Sequence, residues 1–273
     1  MLRRSTAYLA ERGSPSARLD ADLLLAHALG VDRLRLYTDS ERPLTPPELA
    51  RARELLGRRG KREPLAYVTG ERAFRRLRLA VGPGVLVPRP ETEILVEWAL
   101  EVAPPGGSAL DWGTGSGAIA LALADEGDGL RVTALDRSDQ ALERARANAG
   151  ATAAGDGVEW LLSDGFAAVA GRRFDLIAAN PPYLSAADLD AAPPELSFEP
   201  EGALVAGPTG MEAIAAIAAA APAHLEPGGW LLVEVGAGQA AEAEGLLAAA
   251  GLRDVGRRDD LAGVGRVVGG RSA

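Results

Sequence analysis

The sequence of 273 residues predicts an α/β protein with a mostly parallel sheet, preceded by a small helical domain. Three observations support this prediction. From Ser108 onward, apolar strand-like runs alternate with helical runs, which is typical of a parallel sheet covered by helices on both faces. Before residue 63, apolar residues recur at helical spacing. A glycine-rich loop at 113–117 separates a strand from a helix, as in many ligand-binding α/β folds.

The N-terminal region predicts helices with defined ends. The stretch "SARLDADLLLAHALG" has leucines on a helical period, and Gly30 is placed to end that helix. The stretch "TPPELARARELLGRRG" begins with Thr45 and Glu48 at the spacing of a capping box, and its prolines fall in the first turn. We therefore predict a helical domain over residues 1–63.

A connector is predicted between this domain and the sheet. The stretch "LAYVTGERAFRRLRLAV" predicts two short strands joined around Thr69-Gly70-Glu71, as a hairpin or an extended connector. The proline-rich stretch that follows leads into a helix from about Glu91. We assign residues 64–90 to a β-hairpin and proline-rich connector, and residues 91–273 to the α/β domain.

Composition and charge exclude several classes of protein. Cysteine is absent and histidine occurs only at His27 and His224, which argues against a disulfide framework or a zinc site. The net charge of -9 opposes binding to nucleic-acid phosphates. No run approaches the roughly 20 apolar residues of a membrane span, and the N-terminus has no apolar signal core. We expect a cytoplasmic protein that does not enter a membrane.

The glycine loop predicts a nucleoside site. Gly113, Gly115 and Gly117 allow the backbone to turn tightly and approach a ligand. Asp136 ends the next strand, where a carboxylate can accept hydrogen bonds from both ribose hydroxyls of an adenosine ligand. The alternatives are a packing turn with a helix cap, and a dehydrogenase, because Gly113, Gly115 and Ala118 also satisfy the relaxed dinucleotide pattern.

A second motif, "FDLIAANPPYL", predicts a binding site for a planar NH2 group. The prolines at 181 and 182 fix the backbone and remove two donors. The Asn180 side-chain carbonyl and the Pro181 backbone carbonyl can then accept both hydrogens of one NH2 group, with Tyr183 against its flat face. The alternative is a turn capped by an asparagine.

Together these motifs resemble class I methyltransferases that use S-adenosylmethionine and methylate planar nitrogens. The segments "REPLAYVTGERAF", "VLVPRPETEILV", "DWGTGSGAIALALA", "FEPEGALVAG" and "DLAGVGRVVGGR" narrow the resemblance to the HemK/PrmC family. Its members methylate the side-chain amide of the glutamine in the Gly-Gly-Gln loop of peptide chain release factors. The resemblance covers most of the chain, and the "PRPETE" connector is its most specific part.

The resemblance implies a Rossmann-like fold with a mostly parallel seven-stranded sheet and a C-terminal antiparallel strand. It also implies that residues 1–63 help to dock the release factor. The residues that it implies in cofactor binding are Gly113, Thr114, Gly115, Ser116, Gly117, Asp136, Asp164, Gly165, Phe166 and Asn180. Those implied in binding the glutamine amide are Asn180, Pro181, Pro182 and Tyr183, with Asn180, Pro181 and Tyr183 as the catalytic residues.

Two positions depart from the family pattern. Trp112 stands where a leucine is common, which we interpret as a packing change. Gly165 follows Asp164 where some members carry an aromatic residue beside the adenine, and Phe166 or Trp160 is the expected replacement.

Two other functions compete with this interpretation. A methyltransferase acting on an amino group of a DNA or RNA base needs a basic face, which the acidic composition does not favour. A non-catalytic module that binds release factors or the ribosome would keep the fold without needing these motifs. We expect a monomer that uses S-adenosylmethionine, binds release factors as its protein substrate, and makes no direct sequence-specific contact with nucleic acid.

Overall fold

The chain folds into two compact units in a computed structural model that describes residues 1–39 and 41–273. One unit consists of Met1–Glu71 together with Pro193–Phe198, and the other of Arg72–Ala192 together with Glu199–Ala273. The three-part division predicted from the sequence, at 1–63, 64–90 and 91–273, is a finer partition and stays a prediction.

The first unit is helical, and its helix ends follow the predicted signals. Its helices are α1 (Leu2–Glu11), α2 (Ala17–Leu29), α3 (Arg35–Thr38), α4 (Pro46–Gly60) and α5 (Leu65–Thr69). Helix α2 ends at Gly30, whose φ of +65° is left-handed. Helix α4 begins with the predicted capping box, in which the Thr45 amide donates to Glu48 Oε2 at 2.8 Å. Both predictions are confirmed.

The hairpin prediction around Thr69-Gly70-Glu71 is wrong in position. Residues Leu65–Thr69 form helix α5, and the hairpin follows as β1 (Glu71–Phe74) and β2 (Leu77–Ala80). Val68 is buried in the core of the helical unit. Packing of this apolar side chain therefore outweighs the strand propensity of the stretch.

The second unit contains the main sheet and its covering helices. After the hairpin, its elements are α6 (Thr92–Val102), β3 (Ser108–Trp112), α7 (Ala118–Glu126), β4 (Arg131–Asp136), α8 (Asp139–Ala149), β5 (Val158–Leu162), β6 (Phe174–Ala179), α9 (Ala186–Asp190), α10 (Glu212–Ala220), β7 (Leu225–Glu234), α11 (Ala240–Ala249), β8 (Arg253–Asp259) and β9 (Gly265–Arg271). Short 3-10 turns occur at Ala153–Gly157, Ala167–Val169, Pro194–Phe198, Glu201–Ala203 and Ala221–His224.

Over the described residues, the sheet has seven strands in the order β5-β4-β3-β6-β7-β9-β8. The first five are parallel, and β9 runs antiparallel to both of its neighbours. This arrangement confirms the predicted Rossmann-like fold. The chain progresses from β3 to β5 in one direction and then returns to place β6 on the other side of β3. The carboxyl ends of β3 and β6 therefore form the switch point where such sheets bind ligands.

Each face of the sheet carries its own apolar core. Leu95, Leu121 and Leu123 belong to the core on one face, and Ile177 and Ile214 to the core on the other. The strands are thus buried on both sides, which explains their nearly continuous apolar runs. Among the described helices, none combines the length and the apolar character needed to cross a bilayer.

Candidate active site

A cavity of about 370 Å³ lies at the carboxyl ends of β3, β4 and β6. This volume falls within the range of small-molecule sites, about 300–1,000 Å³. The predicted site residues that line it are Gly113, Gly115, Asp136, Asp164, Gly165, Asn180, Pro181 and Pro182. The glycine loop and the asparagine–proline motif meet because Trp112 and Ala179, which precede them, are paired in the sheet.

The glycine loop leaves space on the cavity side. Gly113 and Gly115 have φ values of +75° and +56°, a region that L residues rarely adopt. A Cβ atom added at either position would meet no heavy atom within 4 Å. The backbone conformation therefore requires glycine here, and the open side of the loop can receive a ligand.

Asp136 holds this loop in place and still faces the cavity. Its Oδ2 accepts a hydrogen bond from the Gly115 amide at 2.9 Å, and its Oδ1 accepts one from the Ser138 amide at 2.9 Å. Each carboxylate oxygen can accept more than one hydrogen bond. Asp136 can therefore bind ribose hydroxyls while it fixes the loop.

Three other loop residues predicted to bind the cofactor do not line the cavity. Thr114 donates its hydroxyl to Asp111 Oδ2 at 2.6 Å, beneath the loop. The Ser116 side chain is buried, and the Ser116 carbonyl accepts a hydrogen bond from Asn148 Nδ2 at 2.8 Å. Gly117 lies at the start of α7. These residues position the loop, and Asn148 is one of its supports.

The buried carboxyl group of Asp111 lies below the loop. Burial raises its pKa to about 7, although hydrogen bonds from Thr114 and the Ala120 amide favour the charged form. Its Oδ1 is buried without a hydrogen-bond partner. The charged form of Asp111 is therefore destabilised by burial, and its hydrogen bonds to the loop and to α7 compensate only in part.

Asn180 is held in one orientation. Its Nδ2 donates to Thr92 Oγ1 at 3.1 Å, while its Oδ1 is buried and has no hydrogen-bond partner. An unpaired buried acceptor costs about 1–3 kcal/mol, which a donor on a ligand would recover. The free oxygen has the polarity that the predicted amide grip requires. Sequence reasoning missed Thr92, although it lies within the "PRPETE" segment.

Tyr183 and Phe166 lie outside the cavity wall. Burial raises the pKa of Tyr183 to about 12, so its hydroxyl stays neutral at physiological pH. The Tyr183 backbone carbonyl accepts a hydrogen bond from Gln239 Nε2 at 2.8 Å. Phe166 stacks on His224 with ring centroids 4.6 Å apart. One face of its ring is therefore covered by His224, and a role of Phe166 beside the adenine stays a prediction.

Trp112 does more than change the packing. It lines the cavity, and its ring contacts Phe166 with centroids 6.4 Å apart. Its Nε1 is buried and has no hydrogen-bond partner. The expectation of a simple packing change was incomplete, because the indole also forms part of the cavity wall.

One buried carboxylate joins two further parts of the wall. The Glu199 side chain is 1% exposed, and it accepts hydrogen bonds from the Val87 amide at 2.9 Å and from Arg89 Nη2 at 2.6 Å. The connector before Val87 and the loop after Glu199 both line the cavity. Sequence reasoning did not identify this contact, since it joins residues 112 positions apart.

Comparisons with known proteins find relatives of this chain in both sequence and fold. Residues 1–70 match the PrmC N-terminal domain, and residues 90–193 match the methyltransferase small domain. The release factor glutamine methyltransferase of Geobacter sulfurreducens is 45% identical over 267 residues, covering 97% of this chain and 93% of the relative. That of Burkholderia pseudomallei is 46% identical over 276 residues, covering 98% and 96%. A solved methyltransferase from Pyrococcus furiosus has a TM-score of 0.55 at 19% identity, covering 82% and 98%, and shows the fold.

Proposed function

Because this chain belongs to the release factor glutamine methyltransferase family, we propose that it methylates the side-chain amide nitrogen, N5, of the glutamine in the Gly-Gly-Gln loop of peptide chain release factors. We propose S-adenosylmethionine as the methyl donor. The observation that carries the proposal is the free, buried Oδ1 of Asn180 beside the glycine loop, because it matches an acceptor for an amide N–H.

The cavity fits the proposed cofactor. The open side of Gly113 and Gly115 suits its methionine part, and Asp136 suits its ribose hydroxyls. Asp164 and Gly165 line the wall proposed for the adenine. S-adenosylmethionine supplies an electrophilic methyl group on a sulfonium, so the protein needs mainly to orient the acceptor.

The acceptor amide is held by the asparagine–proline motif. We propose that Asn180 Oδ1 and the Pro181 carbonyl each accept one N–H of the glutamine amide. Both atoms belong to a stiff strand end, and both stabilise positive charge that develops on the nitrogen. Pro182 lines the same wall. Tyr183 is proposed to contact the flat face of the amide, although its ring does not line the cavity.

The helical unit is proposed to dock the release factor. Its support is the match of residues 1–70 to the PrmC N-terminal domain. We also propose that the protein acts as a monomer without sequence-specific binding to nucleic acid, for which the net charge of -9 is the support.

Mass spectrometry tests the proposed function. A release factor incubated with this protein and S-adenosylmethionine is expected to gain one CH2 unit on the loop glutamine. A release factor with that glutamine replaced by glutamate is the matched control and should gain nothing. Methylation of DNA or RNA oligonucleotides in place of the release factor would overturn the proposal.

A further inference from the structure

The buried carboxyl group of Glu234 lies beside Asn180 at the same edge of the sheet. Strands β6 and β7 are parallel neighbours in which Ala179 pairs with Val233. The residues that follow, Asn180 and Glu234, therefore lie next to each other at the carboxyl ends of the two strands. Glu234 is 2% exposed, and its Oε2 has no hydrogen-bond partner.

Thr92 connects these two side chains. It opens helix α6 and is 3% exposed. Its Oγ1 accepts a hydrogen bond from Asn180 Nδ2 at 3.1 Å. The Thr92 hydroxyl is also close enough to Glu234 to favour the charged form of that carboxyl group. The three groups can thus form a chain of hydrogen bonds from Glu234 through Thr92 to Asn180.

The polarity of this chain follows from the number of protons. A threonine hydroxyl has one proton, and a carboxylate only accepts. When Thr92 donates its proton to Glu234, its oxygen can only accept from Asn180. The NH2 end of Asn180 must then face Thr92, which leaves the carbonyl end of the amide free.

Without the carboxylate, the opposite orientation becomes possible. The Thr92 hydroxyl can then donate to Asn180 Oδ1, which turns the NH2 group of Asn180 away from Thr92. Two NH2 groups would face each other if a glutamine amide approached, and no hydrogen bond would form between them. The orientation of one amide therefore decides whether the site attracts or repels the acceptor nitrogen.

We propose that Glu234, acting through Thr92, is a positioning residue that fixes the Asn180 amide with its oxygen toward the substrate nitrogen. This inference rests on the proposed function, because it requires Asn180 to bind the acceptor amide. Burial raises the pKa of Glu234 to about 7, and the nearby Glu91 adds to this effect, whereas Thr92, Arg266 and Arg89 oppose it. The ionised form, which accepts from Thr92 and fixes the polarity, therefore predominates above that pH. A buried carboxyl group whose pKa is shifted in this way is typical of a functional site.

Three variants test the inference: Glu234→Gln, Thr92→Val and the double variant. A glutamine at position 234 can donate as well as accept, and a valine at position 92 has no hydroxyl. In either variant the NH2 end of Asn180 is no longer forced to face residue 92. We expect each single variant to lower kcat between about 10- and 100-fold. The KM for the release factor and the Kd for S-adenosylmethionine should change by no more than about threefold. The double variant should lose no more than the worse single variant, because both act on one chain of contacts.

Two control variants separate positioning from a structural role. Thr92→Ser keeps the hydroxyl and should retain kcat within about threefold of the wild type. Glu226→Gln changes an acid at the other end of β7 and should leave kcat unchanged. Equal losses in kcat, Tm and cofactor affinity, without rescue by Thr92→Ser, would show a structural role and overturn the inference.

The outcomes also separate this inference from the proposed function. If the wild-type protein methylates the release factor and both single variants match its kcat, the positioning role is wrong and the proposed function stands. If the wild-type protein does not methylate the release factor, the proposed function itself is wrong, and the inference falls with it.

Discussion

The side chain of Asn180 has two ends with different tasks. Its NH2 group donates to Thr92, and its oxygen is buried without a partner, in a residue that lines the cavity. The prolines that follow stiffen the strand end and keep neighbouring backbone donors away from this oxygen. A single acceptor is thereby held ready for a ligand N–H.

Replacing this side chain tests its role directly. Asn180→Ala removes the acceptor, and we expect turnover of the release factor to fall by at least about 100-fold, as when one fixed polar contact to a reacting group is removed. Binding of S-adenosylmethionine, measured by calorimetry, should be retained because the glycine loop and Asp136 are unchanged. Methylation at the wild-type rate would show that Asn180 does not hold the acceptor amide.

Asp111 makes stability depend on pH. Its pKa is raised from 3.8 to about 7 in the folded protein. Between these values the folded state keeps a proton that the unfolded state has lost, so the free energy of unfolding falls as pH rises. Asp111→Asn removes this dependence. Urea denaturation without ligand should show the variant gaining stability relative to the wild type from about pH 4 to pH 7, by at most about 4 kcal/mol.

An exposed acid in the helix after the glycine loop gives the control for this experiment. Asp125→Asn changes the same residue type at the surface of α7. It should shift the curve of stability against pH much less than Asp111→Asn does. Parallel curves for wild type and Asp111→Asn over the whole range would contradict the argument.

The sequence predicts some of these residues well and others not at all. Asn180 is recognisable because its prolines and the strand before it are adjacent in the chain. Its partner Thr92 lies 88 positions away, and only the folded sheet brings them together. Glu234 gives a weak local signal, because it is an acid at the end of a buried apolar strand. That Asn180 lies beside it follows only from the register of β6 and β7.

At the scale of elements, two segments form the wall opposite the strand ends. Gly84, Val85 and Leu86 precede α6, and Pro200 and Gly202 lie in the loop after Glu199. The Glu199 carboxylate binds the first segment through the Val87 amide and the Arg89 guanidinium. The shape of the cavity on this side therefore depends on one ion pair.

Glu199→Ala should loosen both segments. It leaves Arg89 and the Val87 amide without their buried partner, which we expect to cost about 3 kcal/mol of stability. Binding of S-adenosylmethionine should weaken as well, because both segments line the cavity. Urea denaturation and calorimetry measure the two effects. Glu201→Ala, at an exposed position two residues later, is the control, and equal behaviour of the two variants would refute the proposed link.

Elements were predictable where their signals are local. The capping box at Thr45 and the glycine after α2 fix helix ends through contacts within a few residues. The strand prediction for Leu65–Thr69 is wrong because the pattern of apolar residues there is short and fits either a strand or a helix. Burial of Val68 among the helices decides between them, and that contact is not visible in the local sequence.

For the whole molecule, the division into units does not follow the order of the chain. The segment Pro193–Phe198 belongs to the helical unit, although the sequence before and after it belongs to the sheet. Glu195 in this segment accepts hydrogen bonds from Arg59 Nη1 at 2.8 Å and from Arg62 Nη2 at 2.7 Å. Arg59 is itself buried and paired with Asp20 at 2.7 Å.

Glu195→Ala should therefore destabilise the helices. It leaves the buried Arg59 with one carboxylate instead of two, and we expect local opening to become easier by about 1–3 kcal/mol, as for the loss of a hydrogen bond to a charged group. Hydrogen exchange should speed up in α2 and α4, while β6 and β7 stay protected. The exposed Glu11→Ala is the control. Unchanged exchange in α4 of the Glu195 variant would show that this segment does not stabilise the helices.

The position of Trp112 gives the protein a built-in optical signal. All four tryptophans lie in the part of the chain that the structure describes, and of these only Trp112 lines the cavity. Trp98 and Trp230 pair with each other at 6.0 Å instead. Indole fluorescence responds to the polarity and hydrogen bonding around Nε1, and that atom lacks a partner in Trp112. We therefore expect the emission of the unlabelled protein to change when its cavity is filled.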